Sequence, residues 1–258
     1  MKLAGSVAVI TGGASGLGRA TLACFVAQGG KVIALDINDE LGAEMTAEYG
    51  DKVLYQKTDV TLEKDVKQAL ANGIEKFGRI DICVNCAGNG GAGTGKIYSN
   101  RNGLMPLETF KRIVDINLVG SFNVTRLCVE QMVKNEANDD NEKCVVINTA
   151  SVAAFEGQIG QVPYSASKAG IVGMTLTLAR DLSSLGIRVN SIAPGLIDTP
   201  MLAGLNDDIR HELEQSVLCP KRLGQPSELA GAVKFLINNG YMNGEVIRMD
   251  GGIRMLPK

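Results

Sequence analysis

Apolar, β-branched runs at 6–11, 31–36, 53–57, 80–85, 143–149, 187–193 and 245–249 alternate with helical patterns along all 258 residues. The helical stretches cover about 17–29, 39–49, 62–77, 107–134, 162–184, 200–217 and 227–238. Strands separated by helices pair in parallel through right-handed crossovers. The pattern therefore predicts an α/β fold, a doubly wound seven-stranded parallel sheet with helices on both faces. No internal repeat and no Pro/Ser-rich linker interrupts it, so residues 1–258 read as a single domain.

Three segments break the rhythm. Gly88 to Gly95, continuing to Pro106, is glycine-rich and reads as an inserted mobile loop over about 89–105. Lys134 to Lys143 is polar and charged, and reads as a solvated surface loop over 134–143. Leu196 to Arg222 carries Met201, Leu202 and Leu205, and reads as a substrate lid over about 196–222.

Composition excludes several functions. A net charge of −2 with a pI near 5.6 gives no basic footprint for nucleic acid. No apolar run approaches the roughly 20 residues needed to span a bilayer, so no membrane association is expected. Met1 to Gly5 leads straight into the first strand-like run, which leaves no room for a cleavable signal. Six scattered cysteines suggest reduced thiols in a reducing compartment, as in the cytoplasm. Cys83-Val84-Asn85-Cys86 ends a strand instead of opening a helix, so its cysteines read as small buried residues. No second pair completes a zinc site, and no metal is expected.

The first strand ends in Thr11-Gly12-Gly13-Ala14-Ser15-Gly16-Leu17-Gly18, and a helix follows. Glycines permit a tight turn and let backbone N–H groups approach a pyrophosphate, to which the helix adds its positive end. Gly12, Ser15, Gly16, Leu17 and Gly18 are thus candidate cofactor residues of a Rossmann-type site. Asp36 ends the next strand, where a carboxylate hydrogen-bonds the ribose hydroxyls of NAD and repels a 2′-phosphate. Ser15 and Ile37 offer no cation to hold that phosphate, so NAD is favoured over NADP.

Proton chemistry has few candidates, because His211 is the single histidine. Tyr164 and Lys168 lie one turn apart on one helix face. A nearby ammonium favours the phenolate, so Lys168 is expected to lower a tyrosine pKa that is ordinarily about 10. That would make Tyr164 a general acid/base. Ser151 follows the strand 143–149, and ligands of open α/β sheets bind beyond the carboxyl ends of the strands.

Taken together, Thr11 to Gly18, Asp59-Val60, Asn85-Cys86-Ala87-Gly88, Asn117, Ser151, Tyr164 to Lys168, Pro194-Gly195 and Thr199 resemble the motifs of the short-chain dehydrogenase/reductase family. The resemblance covers essentially the whole chain and implies residue roles. Tyr164 would exchange a proton with the substrate oxygen, Ser151 would orient that oxygen, and Lys168 would tune Tyr164 and hold the nicotinamide ribose. Asn117 would anchor a water relaying protons from Lys168. Asp59 and Val60 would flank the adenine, while Asn85, Ala87 and Gly88 would support the adenosine ribose. Pro194 and Gly195 would border the cofactor, and Thr199 would touch the nicotinamide carboxamide.

Within the family, Thr149 to Gln158, Gly170 to Leu176 and Asn243 to Arg248 are similar to the branch of short-chain 3-hydroxyacyl-CoA dehydrogenases. That likeness implies a homotetramer oxidising 3-hydroxyacyl-CoA to 3-oxoacyl-CoA, with loose acceptance of other secondary alcohols. It implies a substrate cleft lined by Ser151, Tyr164, Gln158 and Gln161, to which the apolar lid residues Leu202 and Leu205 would add. The glycine-rich loop and the 196–222 segment differ from that branch. A hydroxysteroid dehydrogenase, a 3-oxoacyl carrier-protein reductase and a non-catalytic NAD-binding scaffold are the competing readings. Asp36 argues against the reductase, which usually prefers NADPH, and the intact set Asn117, Ser151, Tyr164 and Lys168 argues against the scaffold.

Overall fold

The computed structural model describes residues 1–90, 95–200, 202 and 206–257. Its main sheet contains β1 (Val7–Thr11), β2 (Lys31–Asp36), β3 (Val53–Lys57) and β4 (Ile82–Asn85). It continues with β5 (Cys144–Thr149), β6 (Ile187–Pro194) and β7 (Val246–Met249). All seven strands run parallel in the order β3-β2-β1-β4-β5-β6-β7. Every expected strand is present, with ends shifted by no more than two residues.

The sheet is covered on both faces because alternate residues of each strand point to opposite sides. Val7, Val9, Ile33, Leu35, Cys83, Val146 and Val189 enter one core with α3 (Glu63–Phe77), α5 (Gly120–Met132) and α6 (Val162–Ser183). Ala8, Ile10, Val32, Ala34, Val84, Ile147 and Ile192 enter the other, with α1 (Gly16–Ala27), α2 (Asp39–Tyr49) and α8 (Pro226–Asn238). The strand order reverses beside β1, whose Thr11 pairs with Asn85 of β4. A crevice beyond the carboxyl ends of these strands is where such sheets bind ligands.

Four expectations change. The stretch read as one helix over 107–134 is α4 (Leu107–Val114), a π-helical turn (Asp115–Val119), then α5. A π turn inserts one residue into an α-helix without erasing the apolar pattern, so periodicity does not reveal it.

The segment 89–105 is not merely a loop. Tyr98–Ser99 and Gly103–Leu104 form an antiparallel hairpin, closed by the Met105 N–H donating to the Ile97 carbonyl at 2.8 Å. Residues 91–94 lie outside the described residues.

The stretch 200–217 shortens to α7 (Asp207–Ser216), whose N-cap Asn206 accepts from the Ile209 N–H at 2.8 Å. Met201 and Leu205, expected on the lid, lie outside the described residues.

The run 134–143 is not simply solvated. Glu142 is buried and paired with Arg188 of β6 through N–O distances of 2.6 and 2.8 Å. It also accepts from the Met1 ammonium at 2.9 Å. Arg188 brings a charge into the interior, and Glu142 folds in to neutralise it. The same guanidinium donates to the carbonyls of Leu236, Ile237 and Met242.

Candidate functional site

The turn from β1 into α1 is built by steric demand. A Cβ on Gly18 would stand 2.1 Å from the Gly12 carbonyl oxygen, so only glycine lets the helix start against the strand. Gly12 has φ of 63°, and a Cβ there would meet the Ala87 backbone nitrogen at 3.0 Å. Ser15, the N-cap of α1, makes no side-chain capping bond, so the helix presents its first N–H groups without an internal partner from that residue. This is the arrangement an anionic pyrophosphate fits. A Cβ on Gly16 would sit 3.6 Å from Thr199, which brings the segment after β6 over the same turn.

Thr11 closes the floor of this turn. Its hydroxyl oxygen accepts from the N–H groups of Cys86 and Ala87 at 3.0 and 2.9 Å, tying β1 to the loop after β4. Asp36 at the end of β2 has both carboxylate oxygens in use. One accepts from the Ala14 N–H at 3.0 Å, the other from the Asn38 N–H at 3.1 Å. These bonds aim the carboxylate at the turn from the side. The Thr58 N–H donates to the Asp36 carbonyl at 2.8 Å and so draws the start of 59–60 alongside. The Asp59 carboxylate accepts from Thr61, and the Val60 carbonyl accepts from Asn123 at 2.8 Å.

Asn85 is buried and donates to Asn148 at 2.8 Å and to Thr125 at 2.9 Å. It braces β4 against β5 and α5, beneath the crevice. Gly195 donates to the Met249 carbonyl at 2.9 Å, and a Cβ on it would meet Asp250 at 2.8 Å. Pro194 ends β6 beside it, with Met249 as its register partner.

Tyr164 and Lys168 stand one turn apart on α6, with the Lys168 nitrogen 5.8 Å from the tyrosine ring centre. Ser151 caps the short 3-10 helix Val152–Ala154, its hydroxyl oxygen accepting from the Ala153 N–H at 3.1 Å. Lys168 is buried and donates to the Thr149 carbonyl at 2.6 Å. A Cβ on Gly88 would lie 3.3 Å from the Asn117 amide oxygen and 3.7 Å from the Lys168 nitrogen. Gly88 is thus the gap through which these two groups face each other. The Asn117 amide itself accepts from the Asn89 N–H at 2.7 Å and donates to the Asn89 carbonyl and to Ser167, each at 3.0 Å. Its own carbonyl accepts from Ser121 at 2.8 Å.

The electrostatics correct one expectation. Lys168 does not lower the Tyr164 pKa. Burial raises the phenol above its ordinary value, and the neighbouring Ser151 hydroxyl pulls it back only in part. The Lys168 ammonium is itself desolvated, which pushes its pKa down to about 8. Burial likewise pushes the Cys86 thiol up to about 11, consistent with an inert small residue.

The expected substrate residues are placed less directly. Gln158 donates from its amide to the Leu256 carbonyl at 3.0 Å, and the Gln161 amide oxygen accepts from the Gln158 N–H at 3.1 Å. Both lie on the segment between Ser151 and Tyr164 but act there as struts. The Leu202 N–H donates to the Thr199 carbonyl at 2.9 Å. Among the described residues, no group of three or more His, Cys, Asp or Glu side chains is placed to hold a metal, and no helix is long and apolar enough to cross a membrane.

Sequence reasoning did not assign Thr11 a task, although it lies in the quoted motif. Its partners are 75 and 76 residues away, and a threonine at a strand end carries no local signal of them.

The family model described as short chain dehydrogenase matches residues 6–210. The chain is 53% identical over 253 residues to 3-hydroxyacyl-CoA dehydrogenase type-2 from Drosophila melanogaster, covering 98% of each chain. It is 51% identical over 254 residues to the Homo sapiens enzyme of the same name, covering 98% of this chain and 97% of that one. The crystal structure of 3-hydroxyacyl-CoA dehydrogenase type-2 from Mycobacterium avium superposes with a TM-score of 0.94 at 38% identity, covering 100% of both chains.

Proposed function

The chain belongs to the short chain dehydrogenase family, an oxidoreductase family that works with a nicotinamide cofactor, and on that premise we propose that it oxidises 3-hydroxyacyl-CoA to 3-oxoacyl-CoA with NAD. The full-length likeness to enzymes named 3-hydroxyacyl-CoA dehydrogenase type-2 is the observation that carries this substrate.

The chemistry rests on four side chains around one crevice. Tyr164 takes the proton of the substrate hydroxyl as the carbon–oxygen double bond forms, and returns it in the reverse direction. Ser151 hydrogen-bonds the same oxygen and fixes its distance from Tyr164. Lys168, with a pKa near 8, passes the proton onward past Gly88 toward Asn117. Hydride acceptance from the same carbon would be supplied by a bound nicotinamide, as the cofactor's chemistry and not the protein's. The turn Gly12 to Gly18 would hold the pyrophosphate, Asp59 and Val60 the adenine, and Thr199 the carboxamide end.

NAD is the form we assign, on the strength of Asp36. Its carboxylate is fixed by two backbone N–H groups, and turning it away from a 2′-phosphate would break both. In this reading the chain acts as one domain in a homotetramer in the cytoplasm, or in the mitochondrial matrix of a eukaryote.

The test is NADH oxidation by the purified protein with acetoacetyl-CoA, with NADPH in parallel. Rapid turnover with NADH alone is expected. Turnover of a hydroxysteroid or another secondary alcohol without turnover of the thioester would overturn the substrate.

A further inference from the structure

Between Ser151 and Tyr164 the chain runs outward and back, and this excursion is fastened at its far side. One Glu156 carboxylate oxygen accepts from Arg248 of β7 at 2.8 Å and faces Arg254 at 3.5 Å. The other accepts from the Met255 backbone N–H at 2.9 Å. Two residues on, the Gln158 amide donates to the Leu256 carbonyl at 3.0 Å, and the Ile159 N–H donates to the Pro257 carbonyl at 2.8 Å. The segment and the tail therefore run side by side. Arg248 also donates to Asp250 at 2.7 and 2.9 Å and lies over the Phe155 ring, 5.5 Å from its centre. A bifurcated carboxylate between a guanidinium and a backbone N–H is a strong, directional anchor. Arg248 is only a quarter exposed, so this pair is better shielded than an ordinary surface ion pair.

We infer that Glu156 is a positioning residue, which clasps β7 and the C-terminal tail to the 155–161 segment and so fixes the rim of the acyl-thioester cleft. The inference rests on the substrate reading above for the word thioester, but the clasp itself rests on the contacts. Phe155 and Ile159 on the segment and Leu256 on the tail are half or more exposed, a set of apolar side chains suited to an acyl chain. None of them lies in the cofactor turn. Loosening the clasp should therefore weaken binding of the acyl substrate without touching the nicotinamide site or the proton path.

Two variants of the full-length protein test this. Glu156→Ala removes the carboxylate, while Met255→Pro removes only the backbone donor it holds. Both are expected to raise KM for acetoacetyl-CoA about tenfold while kcat falls by no more than about twofold, the pattern of lost uniform binding. NADH affinity, read by fluorescence, should stay unchanged, and the Ile159 amide should exchange its hydrogen faster. An unchanged KM would overturn the inference. So would a joint loss of kcat and NADH affinity, the signature of a purely structural staple. If the unaltered protein does not turn over acetoacetyl-CoA, the substrate reading fails separately, and Ile159 exchange in the two variants alone decides the clasp: faster exchange supports it and unchanged exchange overturns it.

Discussion

The Lys168 ammonium donates to the Thr149 carbonyl at 2.6 Å, from a position one helical turn beyond Tyr164. That bond anchors the amine at the end of β5, in a place with little water. Its folded pKa, near 8, lies below its ordinary value because burial disfavours the charged form. As pH rises through about 8, the amine becomes neutral and able to accept a proton from the Tyr164 side. Alcohol oxidation, which releases a proton, should accelerate over that range, and ketone reduction should not. In Lys168→Arg the side chain keeps its charge throughout, so the inflection should vanish from the kcat profile. An inflection that survives this change would place the titrating group elsewhere.

Asp36→Ala should let NADP compete. In the proposed binding mode the carboxylate, held by two backbone bonds, would face the ribose, and its removal would take away both a ribose partner and a repulsive charge. The expected result is weaker NADH binding by about tenfold, with measurable NADPH binding where there was none. Fluorescence titration with both cofactors reads this directly. Continued exclusion of NADPH would mean that shape, and not charge, rejects the phosphate.

Thr11→Val keeps the shape of the side chain and deletes its hydroxyl. The N–H groups of Cys86 and Ala87 then lose their acceptor, at a cost of about 1–3 kcal/mol for each one left dry. Urea denaturation should show the loss of stability. Because these N–H groups border the glycine turn proposed to hold the cofactor, NADH affinity should fall as well. A variant that is less stable but binds NADH normally would limit Thr11 to the scaffold.

Glu142→Gln should destabilise the fold by about 3–5 kcal/mol, since it leaves the buried Arg188 guanidinium without its counter-charge. Burial alone would raise the Glu142 carboxyl, but the Met1 ammonium and then Arg188 outweigh it and hold the pKa below its ordinary value. The sign follows. This stabilisation is full above the ordinary carboxylate range and is lost as pH falls through the lowered folded value. Thermal melts from neutral to acidic pH should show the gap between the original protein and the variant closing in acid.

The glycine turn after β1 was legible because its signal is local: glycines at set spacings between a strand and a helix, then a carboxylate at the end of the next strand. The parallel, doubly wound class of the sheet followed from the alternation of strands and helices, whereas the order of its strands did not. Asn117 was reachable only through family resemblance, because an asparagine inside a helix pattern gives no sign that its amide turns to a loop 28 residues away. Glu142 hid in a polar run, and its partner Arg188 hid in a strand 46 residues later. For Tyr164 the spacing to Lys168 correctly gave proximity, but spacing says nothing of how much water remains around either group. Burial decided both pKa directions.

The π turn at Asp115–Val119 has a consequence for the helix it divides. An α-helix advances about 100° per residue. α4 and the turn lie against α6, where Tyr164 and Lys168 stand, whereas α5 lies against α3, β4 and β5. The inserted residue changes the angular phase between these halves, so one rod carries two differently aimed faces. Rewinding 115–119 as regular α-helix, with every residue kept, would swing one half by about 100°. Asn123 and Val124, now buried, would rotate away from the sheet, or Asn117 would rotate away from Lys168. The protein keeps both its core and the approach of Asn117 to Lys168 only by having that stretch out of step.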